Sequence, residues 1–269
     1  MAGRSLERAV AALAEGGVVA FTGAGISADS GVPTFRDPGG LWDRFDPERF
    51  GTWEGLAAEA MAHPDRLADF LGELRASFGR AGPNAAHRAI AELERAGLLT
   101  AVITQNVDGL HQEAGSLHVV EIHGSLHRRV CLVGGTEDRV TRAEFLRGLA
   151  RAIAGLRTAF VPSLESVLPR CHVCGGPTRP GFVAFGERPL RFEEASARAA
   201  TCAAMLVVGT AGEVEPAATL PRLARTAGAP VVHVGAGETL VEADVDLRGR
   251  AARILPDLVR RAVAGARAR

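Results

Sequence analysis

The sequence contains no lysine and no tyrosine, so all 31 of its basic residues are arginine. We attribute this bias to a genome that disfavours the codons for these amino acids rather than to function. Asparagine is almost as rare, because Asn84 and Asn106 are the only two in the chain. In a chain so poor in asparagine, we expect each of them to perform a role that Asp or Ser cannot.

Other absences exclude whole classes of protein. Acidic and basic residues balance at 31 each, which argues against nucleic-acid binding through a broad basic surface. No apolar run is long enough to cross a bilayer, and charged residues interrupt the N-terminal apolar stretch, so it does not read as a signal peptide. Four cysteines among 269 residues do not make a disulfide scaffold. We therefore predict a cytoplasmic protein that binds neither nucleic acid nor membranes.

Strands and helices alternate along the chain, which predicts an α/β fold with a Rossmann-like, doubly wound parallel sheet. Apolar runs predict strands over 17–20, 98–104, 119–124, 203–210 and 230–235. Helical spacing and helix punctuation predict helices over 4–15, 83–95, 142–156, 216–227 and 255–266. We assign 1–37, 80–126 and 182–269 to the Rossmann-like domain. Helical patches and cysteines place 38–79 and 127–181 in a smaller inserted module.

The most informative segment is a glycine turn that follows the first predicted strand. It contains Gly23-Ala24-Gly25, and Ala28 stands where a dinucleotide-binding pattern usually has its third glycine, a replacement that the pattern tolerates. Glycine has no Cβ, so backbone N–H groups can approach a phosphate closely. A Gly-x-Gly motif alone is weak evidence for a phosphate site. The sequence that continues to residue 36, however, is not that of an ordinary loop.

Polar residues follow several of the predicted strands at the points where the strands end. Ligands bind at the carboxyl ends of the strands in a parallel sheet, so we expect these residues to converge on one crevice. They are Gly23, Ala24, Gly25 and Ser27; Gln105, Asn106, Asp108 and His111; His123; and Gly209, Thr210 and Ala211. The alternative is structural: Asn106 and Asp108 could only turn the chain, and His123 could be a core histidine.

Six motifs, which occur in the family's order across nearly the whole chain, resemble those of the sirtuins, the NAD-dependent protein lysine deacylases. The three longest are Gly-Ala-Gly-Ile-Ser-Ala-Asp-Ser-Gly-Val-Pro-Thr-Phe-Arg at 23–36, Thr-Gln-Asn-Val-Asp-Gly-Leu-His at 104–111, and Ile-His-Gly-Ser-Leu at 122–126. Shorter matches lie at 83–87, 185–187 and 209–217. Their common order argues against coincidence.

The resemblance implies that NAD lies in the crevice and that an acyl-lysine oxygen displaces its nicotinamide. His123 would then act as general base on a ribose hydroxyl, with Asn106 and Asp108 at the ribose and the nicotinamide amide. The products would be free lysine, nicotinamide and 2′-O-acyl-ADP-ribose. The implied NAD contacts are Gly23, Ala24, Gly25, Ser27, Phe35, Arg36, Gln105, Asn106, Asp108, Gly209, Thr210, Ala211 and Gly235.

The resemblance also implies how an acylated protein or peptide binds. The peptide would pair as an added strand with two segments, through Val183, Phe185, Gly186, Glu187, Gly212 and Val214, which gives little side-chain specificity. Sirtuins that prefer succinyl or malonyl groups carry a Tyr and, three positions later, an Arg. The matching positions here are Leu71 and Leu74, so we predict a preference for acetyl or longer neutral acyl groups.

Some positions depart from the family pattern. Two Cys-x-x-Cys pairs usually hold a structural zinc, but this chain has Cys131, Cys171 and Cys174 with Gly134 in the fourth place. Zinc takes four ligands, so either His172, His127 or a water completes the set or the metal is lost. Ala211 and Gly235 replace a usual Ser and Asn, and we expect weaker NAD binding from both changes.

Two alternatives to deacylation remain open. The same NAD site could serve mono-ADP-ribosyl transfer or NAD hydrolysis, or the protein could sense NAD or ADP-ribose without catalysis. The presence of His123, Asn106 and Asp108 argues against a sensor. The segments that match peptide-pairing segments argue against a pure hydrolase.

Overall fold

The computed structural model describes residues 2–34, 40–158 and 169–268. Its strands are β1 (Val18–Thr22), β2 (Leu99–Thr104), β3 (Val119–Glu121), β4 (Gly124–Cys131), β5 (Glu137–Arg139), β6 (Thr178–Phe182), β7 (Ala204–Val208), β8 (Val231–Gly235) and β9 (Val245–Arg248). Its helices are α1 (Ala2–Ala14), α2 (Pro47–Phe50), α3 (Trp53–Ala62), α4 (Pro64–Arg80), α5 (Ala85–Arg95), α6 (Leu110–Glu113), α7 (Arg142–Arg157), α8 (Phe192–Thr201), α9 (Thr219–Thr226) and α10 (Ala251–Arg267). None of these helices is long and apolar enough to span a membrane.

The larger sheet is parallel and has the strand order β3-β2-β1-β7-β8-β9. Every residue of β1, β7 and β8 is buried, since helices cover both faces of the sheet, and this explains their continuous apolar sequences. The chain runs outward from β1 to β3 on one side and from β7 to β9 on the other. The order therefore reverses between β1 and β7, which is where a doubly wound sheet opens a crevice.

The predicted α/β class and parallel sheet are confirmed, with shifted boundaries. The third strand ends at Glu121 instead of Gly124, because the chain turns at Gly124 with φ +73° into the second sheet. The last helix begins at Ala251 instead of residue 255 and contains Pro256. Strand β9 was not predicted, since an edge strand that alternates buried and exposed residues gives no apolar run.

A second, antiparallel sheet has the order β5-β4-β6 and was also not predicted. Its strand β5 is short, charged and half exposed, so its sequence resembles a loop. Helix α7, which the sequence did predict, begins at a capping box formed by Thr141 and Glu144. It buries Phe145 and Leu149 against Leu126 of β4. The domain boundaries assigned from the sequence remain a prediction.

Candidate active site at the carboxyl edge of the parallel sheet

A cleft of about 780 Å³ lies at the reversal of strand order. This volume is within the range of small-molecule sites, and the walls come from the loops after β1, β2, β7 and β8 together with α3, α4 and α7. Most of the residues singled out in the sequence line it: Gly23, Ala24, Gly25, Leu71, Leu74, Gln105, Asn106, Asp108, His123, Val183, Phe185, Gly209, Thr210, Ala211, Gly212, Val214 and Gly235.

Three of the predicted NAD- and substrate-binding residues that the structure describes do not line the cleft. Ser27 is fully buried behind the cleft wall. Gly186 and Glu187 also lie outside the lining, and the Glu187 carboxylate accepts hydrogen bonds from Arg179 and from the backbone of Ala184. Phe35 and Arg36 fall outside the described residues.

Glycines of the loop after β1 let it pack directly against the loop after β7. A Cβ on Gly25 would lie 2.8 Å from the Gly209 Cα, and one on Gly23 would lie 2.8 Å from the Gly209 oxygen. The Gly23 and Gly25 N–H groups donate to the oxygens of Val208 and Gly209. The two glycines thus serve loop packing, and within the described residues the Ala24 N–H between them has no protein acceptor.

A buried polar network holds the loop after β2 against the glycine loop. The Asn106 amide donates to the Gly23 oxygen at 3.2 Å and to Ser27 Oγ at 3.1 Å. Ser27 Oγ in turn donates to Asp108 Oδ2 at 2.7 Å, and Asp108 Oδ1 accepts from the Leu110 N–H. The amide nitrogen donates both of these hydrogen bonds, and the amide oxygen stays available as an acceptor. Neither Asp nor Ser offers this combination, which explains an asparagine at position 106.

The other asparagine ties the same loop to a helix. Asn84 caps α5 by accepting from the Ala86 N–H at 2.8 Å, and its amide nitrogen donates to the Ile26 oxygen at 2.7 Å. His87 completes a capping box with Asn84 and places Nε2 3.4 Å from Ser27 Oγ. Asn84 and His87 therefore organise the fold around the site.

Two histidines behind the network are kept uncharged by burial. Desolvation lowers the pKa of His87 to about 4 and that of His111 to about 3. His111 Nε2 lies 3.0 Å from Thr22 Oγ1, which donates to Thr104 Oγ1, so the histidine joins the ends of β1 and β2.

His123 has the geometry of a neutral base. Its Nδ1 lies 3.1 Å from the Gln105 carbonyl oxygen, which can only accept, so the proton resides on Nδ1. Burial lowers the pKa of His123, while the Gln105 carbonyl raises it by a smaller amount. The side chain lines the cleft with an unprotonated Nε2 at neutral pH, and such a group can accept a proton from a bound hydroxyl.

Three cysteines cluster at the end of the small sheet. The Sγ atoms of Cys131, Cys171 and Cys174 all lie within 4.8 Å of one another, a spacing that could hold a metal ion. His172 and His127 are engaged elsewhere, with Asp138 Oδ2 at 2.7 Å and the Asp108 oxygen at 3.1 Å respectively. Cys202 lies outside this cluster and donates to the Ala199 oxygen.

Two features of the cleft were not predicted from the sequence. His233 lines it from β8, and the only signal is one polar residue inside an otherwise apolar strand. Apart from Leu71 and Leu74, the apolar wall was not predicted either, because its residues come from α3, α4 and α7 and look like ordinary core positions. This wall includes Leu56, Leu67, Phe70, Phe78, Phe145, Leu149, Ala152 and Leu156.

Comparison with known proteins gives consistent matches over nearly the whole chain. Residues 23–216 match the profile of the Sir2 family. A Desulfosudis oleivorans protein, NAD-dependent protein deacylase, is 43% identical over 218 residues, which cover 81% of this chain and 80% of that protein. A solved Sir2 homolog–NAD complex aligns with a TM-score of 0.77 and 34% identity over 97% of this chain and 94% of its own. Sir2Af2 bound to a myristoylated histone peptide aligns with a TM-score of 0.69 and 32% identity over 97% of both chains.

Proposed function

The chain belongs to the Sir2 family, and we propose that it removes acyl groups from protein lysine side chains with NAD as co-substrate. The observation that carries the proposal is the uncharged His123, whose Nδ1 is fixed by Gln105 and whose ring lines the cleft beside Asn106 and Asp108. Bound NAD would supply the glycosidic bond that the acyl oxygen breaks. His123 would then take the proton from a ribose hydroxyl, so that this oxygen can attack the acyl carbon.

The residues around the cleft fit NAD. The sheet reverses at β1 and β7, as dinucleotide sites require, and the Ala24 N–H is an available donor in the loop between them. Gln105 links the two sides of the cleft, because its Nε2 donates to Thr210 Oγ1 at 3.0 Å. Asn106 and Asp108 are held rigidly by Ser27, so little entropy is lost when they engage a ligand.

Nicotinamide release in the presence of NAD and an acylated peptide tests the proposal. We expect release that depends on the peptide and that yields deacylated peptide and acyl-ADP-ribose in equal amounts. Release without peptide would instead indicate an NAD hydrolase, and transfer of labelled ADP-ribose to protein would indicate a transferase. Binding of NAD without any release would indicate a sensor. Each of these three outcomes would contradict deacylation.

We propose that the acylated peptide binds between the segment after β6 and the loop after β7. Val183, Phe185, Gly212 and Val214 line the cleft. The first segment is fixed in place, since the Val183 N–H donates to the His123 oxygen and the Phe185 N–H to the Gly51 oxygen, both at 2.8 Å. A peptide at this position would carry its modified lysine next to His123.

We further propose that the preferred acyl groups are uncharged and include long chains. Every lining residue contributed by α3, α4 and α7 is apolar, and Leu71 and Leu74 are among them. A succinyl carboxylate would lose its hydration there without gaining a partner. The solved Sir2Af2 complex contains a myristoylated peptide, which shows that a protein of similar fold binds such a chain.

Substitution of a small lining residue tests the acyl preference. Ala152 is buried and lines the apolar wall, whereas Ala154 on the same helix is exposed. Ala152→Phe should reduce demyristoylation strongly and leave deacetylation within a few-fold, and Ala154→Phe should change neither. Equal loss of both activities in a folded Ala152→Phe protein, or faster desuccinylation than deacetylation by the wild type, would contradict the proposal.

For the cysteine cluster we propose a zinc site with three protein thiolates and a water as fourth ligand. The donor set fits, because three closely spaced thiolates suit zinc and no histidine nitrogen of the described residues belongs to the cluster. A Gly134→Cys variant has room for its side chain, since the nearest atom to a Cβ there is 3.8 Å away. The variant should release zinc to a chelator more slowly than the wild type, and equal release rates would contradict an open fourth position.

A further inference from the structure

His233 is a buried histidine of the cleft to which the proposed mechanism gives no role. It is 1% exposed, lies on β8 and contributes to the cleft lining. Its Nδ1 lies 2.8 Å from Asp246 Oδ1 of the neighbouring strand β9. The other carboxylate oxygen, Asp246 Oδ2, accepts from Arg248 Nε at 2.6 Å, so the carboxylate that holds the ring is itself fixed.

This contact determines which ring nitrogen can serve a ligand. A carboxylate at Nδ1 requires the proton on that nitrogen, so in the neutral ring Nε2 carries a lone pair. Within the described residues, Nε2 has no hydrogen-bond partner. His233 is therefore an oriented hydrogen-bond acceptor in the wall of the cleft.

The His233 ring occupies the space that a side chain at position 235 would need. A Cβ built on Gly235 would lie 2.8 Å from His233 Cε1 and 2.9 Å from Nε2. Gly235 does not have a positive φ, so the limit on this position is the ring and not the backbone. The family pattern described above has an asparagine at this position. In this chain the His233 imidazole lies where that side chain would begin.

The position of His233 along the sheet edge indicates which part of NAD it would contact. His123 and Asn106 follow β3 and β2, on one side of the glycine loop after β1, and His233 lies on β8, on the other side. With the pyrophosphate at the glycine loop and the nicotinamide ribose at His123, the adenosine half extends toward β8. This step rests on the proposed function.

The nearby charges favour a hydroxyl over a phosphate as the group recognised. Arg248 is paired with Asp246 and also donates to the Gly237 oxygen, and Arg250 donates to Asp29 Oδ1 at 3.0 Å. Arg248 and Arg250 thus have partners already, whereas a 2′-phosphate needs a free cation. An acceptor nitrogen suits a neutral donor such as a ribose hydroxyl.

We propose that His233 Nε2 accepts a hydrogen bond from a hydroxyl of the adenosine ribose of NAD and so replaces the side chain absent at Gly235. Asp246 is the positioning residue that fixes the ring and its proton. On this basis the glycine at 235 does not weaken NAD binding, which revises the expectation drawn from the sequence.

Calorimetric titration with ADP-ribose tests the proposal without depending on turnover. His233→Ala should weaken ADP-ribose binding about tenfold, as expected when one hydrogen bond worth ~1.4 kcal/mol is lost. His233→Gln keeps an acceptor and should stay within about threefold of the wild type. Gly235→Asn should bind weakly because its side chain collides with the ring, and the double variant His233→Ala/Gly235→Asn should recover most of the affinity.

A ligand-side control separates direct contact from a general effect on folding. When ADP-ribose lacks both hydroxyls on its adenosine ribose, the wild type and His233→Ala should bind it equally. Unchanged ADP-ribose affinity in His233→Ala, or no recovery in a double variant that unfolds at the wild-type temperature, would overturn the proposal. Failure of the wild type to bind ADP-ribose would overturn this proposal and the proposed function together, whereas binding without deacylation would overturn only the latter.

Discussion

The carboxyl edge of the parallel sheet and the small antiparallel sheet hold their functional side chains in different ways. At the parallel edge, Asn106, Asp108 and Ser27 come from two loops about eighty positions apart and bond to one another. In the small module, Cys171 and Cys174 lie three positions apart in one turn, and Cys131 is the one other described metal-binding residue that joins them.

The difference shows where the chain tolerates change. Loss of one side chain in the buried network leaves other buried polar atoms without partners, which costs more than the lost bond itself. Among the described residues no fourth metal-binding side chain joins the three cysteines, and Phe145, Leu149 and Leu126 pack the module together without them. We therefore expect large effects of substitution at the parallel edge and small effects at the cysteines.

The largest effect should come from the general base. His123→Ala should reduce kcat by a factor of roughly 10²–10⁴, because the variant loses the group that we propose as base for the ribose proton. ADP-ribose affinity should change little. His118→Ala is the matched control, since His118 is exposed and bonds to Glu94. Similar losses in the two variants, measured by steady-state deacylation, would contradict this assignment.

The next effect concerns the contact between the two glycine loops. Gly209→Ala should lower the free energy of unfolding by about 3 kcal/mol or more, because φ is +62° and the new Cβ would lie 2.3 Å from the Ile26 nitrogen. Gly134→Ala in the small module should cost less than about 0.5 kcal/mol, since its surroundings are open. Denaturant unfolding of both variants measures the contrast, and equal stabilities would show that the loops are not tightly coupled.

Gly23 and Gly25 illustrate what could and what could not be predicted from the sequence. Five of the six strands of the parallel sheet followed from apolar runs. The convergence of their polar ends followed from the rule that ligands bind at the carboxyl ends of parallel strands. From the sequence, Gly23 and Gly25 are predicted to let the backbone approach a phosphate, and the structure adds that both also avoid a collision with Gly209. That contact joins residues far apart in the chain, so no local pattern could reveal it.

The antiparallel sheet and the role of His233 were missed for related reasons. Strand β5 is charged and only three residues long, and a register between β4 and β6 cannot be read from either sequence alone. His233 depends on Asp246 of a strand that the apolar pattern did not reveal. In both cases the information lies in pairing between segments.

A moderate effect should follow from the two uncharged histidines behind the site. Their folded pKa values, about 4 for His87 and about 3 for His111, lie below the unfolded value of 6.5, so below pH 6.5 the unfolded chain binds protons that the folded chain does not. Stability is therefore greatest above pH 6.5 and falls as pH decreases toward 4. Between pH 7 and 5 each histidine should contribute roughly 2 kcal/mol to the loss.

His111→Gln isolates one of these two contributions, because glutamine can still bond to Thr22 but does not titrate. Denaturant unfolding at pH 7 and pH 5 should show a loss of stability about 2 kcal/mol smaller in this variant than in the wild type. The same loss in both proteins would contradict the assigned pKa shift.

The smallest effect should come from metal removal. Because α7 and β4 pack the small module through apolar side chains, chelation should change deacetylation by less than about twofold. A loss of activity of tenfold or more after chelation, reversed by zinc, would show that the cleft depends on the cysteine site much more strongly than we expect.

A crystal structure of the protein grown with NAD or ADP-ribose tests the proposed site most directly. We expect the dinucleotide to lie across the reversal between β1 and β7, with His123 Nε2 within about 2.6–3.2 Å of a hydroxyl of the ribose that carries nicotinamide. A dinucleotide bound elsewhere, or a His123 ring turned away from that ribose, would contradict it.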